Sequence, residues 1–306
     1  MKKFLLFSVL SFCVILSGCA YTLEILNVND IGKVREMAKD KGFRDQIDHG
    51  TTALMAAIAM DQTEKAVILI EAGADLNVKD GHYQTALIYA MEKKNMPVIK
   101  AMLKAKPNLE LQTKWMTPIW FAIHDGNFEL VKMLLEAGAN VNSPNENGET
   151  PIFVSASTGD ADMMKLLLSH KADAKAVSND GSTPLMFAAS QGNPAVMELL
   201  IKAGCNLNGF SKKGFNALTG AITANKLDNF NYLMKAGINF KIVSTDGQYL
   251  TPLMIAVTVK NAEMVKSLIQ KGADVNVKFR GHSLLELAKS QDTKDITELL
   301  IAAGAK

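Results

Sequence analysis

The stretch from Thr183 to Asn208, TPLMFAASQGNPAVMELLIKAGCNLN, decides how the rest of the chain is read. Thr183 is a residue that caps a helix, its hydroxyl accepting a backbone N–H bond. Pro184 follows at the first helical position, where its missing N–H costs nothing. A second helix start lies at Asn193-Pro194, and Gly204 supplies the left-handed conformation in which helices commonly end. Two helices this short cannot bury enough apolar surface to offset their ordering entropy. Their stability must come from neighbours of the same kind.

Those neighbours are present. Aligned on Thr52, Thr85, Thr117, Thr150, Thr183, Asn216, Thr251 and Ser283, the chain repeats at steps of 33, 32, 33, 33, 33, 35 and 32 residues. Twenty-one residues after each anchor stands Gly73, Lys106, Gly138, Lys171, Gly204, Gly237, Gly272 or Gly304, so all length variation falls in the connections that follow. A constant body with variable connectors is what stacked units with tolerant loops produce. Two positions after the anchor every residue is Leu or Ile, five after it every residue is Ala or Ser, and seventeen after it every residue is Leu or Met. Large side chains at fixed places fill an inter-repeat core, and the small column lets helices approach closely.

The N-terminus carries a different signal. Met1, Lys2 and Lys3 precede an apolar run from Phe4 to Leu16 that is shorter than the ~20 residues of a spanning helix. It ends Leu16-Ser17-Gly18-Cys19, which resembles the lipobox of bacterial lipoproteins. That resemblance implies a signal peptide over residues 1–18 and a diacylglycerol on the Cys19 thiol, anchoring the chain at about 0.8 kcal/mol per buried methylene. An ordinary secretory leader with a coincidental Cys, or an uncleaved membrane helix, are the alternatives; the coincidence of cationic start, apolar length and Cys favours lipidation. Removal of Lys2 and Lys3 leaves 31 basic against 31 acidic side chains. A neutral chain lacks the broad basic field of a nucleic-acid binder. With Cys13 removed and Cys19 lipidated, Cys205 is the one remaining thiol and no intramolecular disulfide can form.

The segments from Thr183 and from Thr117 (TPIWFAIHDGNFELVKMLLEAGANVN) resemble the ankyrin repeat closely. The resemblance implies an all-α solenoid of helix-turn-helix units with hairpin-like loops, eight repeats over residues 49–306 with the last as a C-terminal cap. Residues 19–48 are read as the lipidated N-terminus and a degenerate capping repeat, in which Tyr21 and Gly42 stand in anchor and stop register. The family's His after Thr-Pro-Leu is absent, which puts its usual loop brace in doubt. Family partners meet the concave face made by the hairpins and the exposed ends of the first helices. On this chain that face implies contacts from Tyr83, Gln84, Glu92, Lys93, Trp115, Met116, His124, Asp125, Phe215, Tyr249 and Leu250. Trp115, Phe215 and Tyr249 stand where loop tips ordinarily carry Asp, Asn or Gly, and aromatics are enriched at interface hot spots. Packing of one loop on the next is the competing account of them.

Catalysis finds little support. His49, His82 and His282 fall in separate loops, and repeats spaced about 8–10 Å apart keep them from sharing a metal with ~2 Å bonds. His124 beside Asp125 could mimic an oriented base, but no Ser or Cys nucleophile is placed to use it. The expectation is a membrane-anchored protein-binding module of the bacterial cell envelope. It is not an enzyme, it carries no cofactor, metal or small-molecule substrate, and its partner is a protein rather than nucleic acid. An immunity-type inhibitor of an envelope enzyme or toxin, and an accessory factor in envelope stress defence, are the alternatives.

Overall fold

The computed structural model describes residues 24–45, 47–48, 50–113, 116–241, 251–279 and 281–306. The expected signal segment, Cys19, Tyr21, His49, Trp115, Tyr249 and Leu250 lie outside the described residues. Eight helix pairs follow the repeat register. They are α4 (Ala53–Ala59) with α5 (Thr63–Glu71), α6 (Ala86–Glu92) with α7 (Met96–Lys104), and α8 (Pro118–His124) with α9 (Phe128–Glu136). Then come α10 (Pro151–Thr158) with α11 (Ala161–Ser169), α12 (Pro184–Ser190) with α13 (Pro194–Lys202), and α14 (Ala217–Thr223) with α15 (Leu227–Lys235). The last are α16 (Pro252–Thr258) with α17 (Ala262–Gln270) and α18 (Leu284–Ser290) with α19 (Lys294–Ala302). Ahead of them stand α1 (Glu24–Asn27), α2 (Ile31–Lys39) and α3 (Lys41–Arg44). Gly42 lies inside α3 rather than at a left-handed stop, because the Asp30 and Asp40 side chains start helices on either side of the turn.

The anchors cap as their chemistry requires. Thr52 accepts from the Met55 N–H at 3.1 Å, Asn216 from Thr219 at 2.9 Å, Thr251 from Met254 at 3.2 Å and Ser283 from Glu286 at 3.2 Å. These bonds are made by the anchor itself, so the start of the helix survives without the family's His. Two anchors differ: the buried hydroxyls of Thr117 and Thr150 have no hydrogen-bond partner. The second helices have their own caps, with Asn95, Asn127, Asp160, Asn193 and Asn261 each accepting from a backbone N–H of the first turn.

All eight residues at the helix stop adopt the left-handed region, Lys106 (φ 56°) and Lys171 (φ 67°) along with the six glycines. The eight residues of the Leu/Met column, from Leu69 to Leu300, have no exposed surface, and the small column from Ala57 to Ala288 is buried throughout. In the Leu/Ile column Leu285 alone is half-exposed, since no described repeat packs beyond it.

The described chain divides into two compact units, residues up to Phe121 with Glu136–Ala139, and Ala122–Leu135 with the rest from Asn140. In the first, α4 packs on α6, α5 on α7 and α2 on α5. Lys65 of α5 is buried and donates to the Leu26 carbonyl at 2.6 Å, fixing α1 to the first pair. In the second, α10, α12, α14, α16 and α18 pack in sequence, α11 packs on α13, α13 on α15, and α17 on α19. Asparagines link successive repeats within each unit: Asn77 accepts from the Asn108 N–H, Asn142 from Asp173 and Asn208 from Asn239, each at 2.8 Å, and Asn276 accepts from Lys306 at 3.0 Å.

Candidate protein-binding surface

Short hairpins precede the first helices. Two are paired as strands, Ile47–Asp48 with Thr51–Thr52 and Lys278–Phe279 with His282–Ser283. The others close by backbone bonds, Asp80 N–H to the Gln84 carbonyl at 2.9 Å, Asn145 to Glu149 at 2.8 Å, Ser178 to Ser182 at 2.9 Å and Ser211 to Phe215 at 2.8 Å. Two residues before the anchor the chain turns through the left-handed region, at Gly50, Gly148, Gly181, Gly214 and Gly281. Tyr83 occupies that position with φ 64°, its ring on a residue 60% exposed.

In the first unit the structure joins Gln84 to Glu92, with Tyr83 at the tip of the Gln84 hairpin. The buried Asp80 carboxylate braces this hairpin, accepting from the His82 and Gln84 backbone N–H groups at 2.8 and 2.9 Å and from the Tyr89 hydroxyl at 2.7 Å. The Gln84 amide reaches across to Glu92 at 3.3 Å. Burial raises the Glu92 carboxyl above its ordinary range; the Gln84 bond opposes the rise and the neighbouring Asp80 charge adds to it. Lys93 pairs with Asp61 at 3.2 Å. Met116 is half-buried, its backbone braced by Thr113, whose hydroxyl donates to the Met116 carbonyl at 2.9 Å.

The second unit holds His124, Asp125 and Phe215. His124 and Asp125 are exposed at the end of α8. Loss of solvent lowers the His124 pKa, against the pull of Glu149. Phe215 is 46% exposed. Adjacent hairpins are joined by main chain, the Asn179 N–H donating to the Asn147 carbonyl and the Lys212 N–H to the Asp180 carbonyl, each at 2.8 Å. The Asn179 amide adds a bond to the Glu146 carbonyl at 3.0 Å, and the Phe215 ring is left partly in water.

Other chemistry is sparse. Among the described residues no group of three His, Cys, Asp or Glu side chains is placed to hold a metal. Burial pushes the Cys205 thiol up to about 11, which suppresses its thiolate. No helix among the described residues is long and apolar enough to cross a membrane. Sequence reasoning missed the Asp80–Tyr89 bond and the left-handed tip at Tyr83. The second had a visible signal, since Gly50, Gly148, Gly181, Gly214 and Gly281 share that register.

Short capped helix pairs, stopped at one register and joined by hairpins that hold side chains in water, define a helical-repeat fold. The chain belongs to the ankyrin-repeat family: the family's three-copy pattern matches residues 20–113, 72–145, 87–178 and 152–244, and its single-repeat pattern matches 248–279. Ankyrin repeat domains typically bind protein partners. The chain is 30% identical over 136 residues to human SMC5-SMC6 complex localization factor protein 1, covering 41% of this chain and 13% of the relative. Mouse Inversin is 29% identical over 120 residues, 38% of this chain and 11% of the relative. An ankyrin repeat protein of fowlpox virus is 30% identical over 101 residues, 33% of this chain and 71% of the relative. The chain thus spans a small part of the first two. Among solved structures, the ankyrin repeat domain of Bcl-3 shares the fold at TM-score 0.55 and 24% identity, covering 62% of this chain and 87% of the other. That of human ASB11 does so at 0.56 and 24%, covering 62% and 85%.

Proposed function

We propose that this chain is a lipid-anchored protein-interaction module of the bacterial cell envelope, held by Cys19 and presenting its hairpins and first-helix ends to a partner protein. The exposed aromatic side chains at hairpin tips, Tyr83 and Phe215, carry the binding half of this reading. Rigid aromatic area in water is costly to keep unless a partner covers it. The sequence Leu16-Ser17-Gly18-Cys19 after an apolar run carries the anchoring half. The membrane-facing role follows from lipid on one cysteine rather than from a spanning helix.

Each half has its own experiment. Cross-linking in intact cells followed by mass spectrometry should recover a protein partner with the wild-type chain. Recovery should be lost when Trp115, Phe215 and Tyr249 are replaced by Ala with helical content intact; unchanged recovery refutes that site assignment. Replacing Cys19 with Ser should move the protein from the membrane to the soluble fraction and abolish incorporation of labelled fatty acid. A Cys19→Ser protein that still sediments with membranes and takes up label overturns the anchor.

A further inference from the structure

Two deviations from the repeat pattern coincide in the α6–α7 repeat. Its hairpin tip carries Tyr83 where Gly50, Gly148, Gly181, Gly214 and Gly281 take the same left-handed turn. A side chain there is strained by contact of its Cβ with the following carbonyl. The ring is not placed to repay that strain by burial, being on a residue 60% exposed. Strain retained at an exposed position is a mark of use rather than of folding.

The first-helix end differs too. Glu92 stands where the other repeats have Ala59, His124, Ser157, Ser190, Thr223, Thr258 and Ser290. It is half-buried, bonded to the neutral Gln84 amide, and near the Asp80 carboxylate. Among the described residues no cation acts on it. Asp80 cannot swing to serve as a free ligand, because the Tyr89 hydroxyl and two backbone N–H groups hold it. It acts instead as a fixed negative charge behind Gln84 and Glu92.

We propose that this repeat is a docking site for a basic segment of the partner protein, with an arginine or lysine side chain laid against the Tyr83 ring and paired with the Glu92 carboxylate. The inference rests on the protein-binding reading above and adds the chemistry of the partner. A guanidinium or ammonium is attracted by the face of an aromatic ring and by a partly desolvated carboxylate, and the two attractions reinforce each other where water is thin. An acidic segment meets two carboxylates instead. The raised affinity of Glu92 for a proton fits the same picture, since an arriving cation would replace the proton as its neutralising partner.

The test uses the full chain titrated with a short arginine–glycine peptide and with its glutamate–glycine counterpart. The wild type should prefer the arginine peptide by at least about tenfold, and Tyr83→Gly and Glu92→Gln should each remove most of that preference while circular dichroism and melting show an intact or more stable fold. Tyr83→Asn, which suits the left-handed backbone, is the second variant should Tyr83→Gly alter the hairpin, and it should behave in the same way. Equal affinity for the two peptides, or a preference that survives all three substitutions, overturns the proposal. Capture in cells separates it from the broader reading. A partner recovered equally by wild type and variants sinks the cationic site alone, whereas a wild type that recovers nothing sinks the interaction module.

Discussion

Asn229 on α15 is fully enclosed and its Nδ2 donates to the Ala189 carbonyl at 2.9 Å, with the Ala188 and Gly192 carbonyls each at 3.3 Å. These are carbonyls of the last turn of α12 and of the turn that follows it in the preceding repeat, where the helix leaves carbonyls without helical partners. The same register holds apolar Val98, Leu130, Met163, Val196, Met264 and Ile296, and in the first pair Lys65, which likewise donates to a preceding carbonyl, so a polar side chain here is an inter-repeat brace rather than a core filler. Asn229→Val should therefore destabilise by about 1–3 kcal/mol, the cost of leaving a buried group unpaired, although Val is the commoner chemistry at that register. Urea unfolding measures the loss, and hydrogen exchange should place it in α12 and α15. A neutral result would show that the bonds contribute nothing.

The helix stops make an opposite prediction. Lys106 and Lys171 sit in the left-handed column that glycine otherwise fills. Replacing either with Gly should raise stability by about 1 kcal/mol, the relief of a Cβ clash less the entropy that Gly adds to the unfolded chain. Thermal melts of the two single variants and the double test this, with additive gains expected for separated sites.

Caps divide into two groups by their bonds. Thr52→Val removes a hydroxyl that accepts from the Met55 N–H and should cost about 1 kcal/mol. Thr150→Val removes a buried hydroxyl with no partner and should cost nothing or stabilise slightly. Equal losses in the two variants, read from urea midpoints, would contradict the hydrogen-bond assignment.

Glu92 gives a pH signature. Its folded pKa is raised, first by burial and then by Asp80, with Gln84 opposing. The folded state therefore binds its proton more tightly than the unfolded state, and the residue costs stability once pH rises above the unfolded carboxyl value of about 4.3. Glu92→Gln should raise the melting temperature near pH 7, and the gain should shrink as pH falls through the raised folded pKa and vanish below the unfolded one. A gain independent of pH would mean that packing, not charge, is responsible.

What could be read from residues alone was whatever a side chain must do in every repeat. The columns from Leu54, Ala57, Leu69 and Gly73 share chemistry down the chain because each copy faces the same neighbour. Backbone demands were harder to see. A second left-handed column, nine residues after the anchor, is filled by Asp61, Lys94, Gly126, Gly159, Asn225, Lys260 and Asp292, which share no side-chain chemistry. Its eighth member, Gly192, escapes the left-handed region, and a Cβ there would run into the Ala156 carbonyl. The Asp80–Tyr89 bond was hidden for a different reason, since it joins a hairpin to a helix nine residues on and occurs once.

The asparagine links have a consequence for how such a chain can grow or shrink. Asn77, Asn142, Asn208 and Asn276 belong to the first, third, fifth and seventh anchored copies, while Glu110, Lys175 and Lys241 hold the corresponding places between them. The tandem array therefore has a pairwise grammar beneath its single-repeat period. Excising two consecutive copies rejoins each accepting Asn to the same kind of neighbour it had before, whereas excising one sets two like copies side by side. Duplication or loss in even numbers preserves the alternation; odd numbers leave a scar.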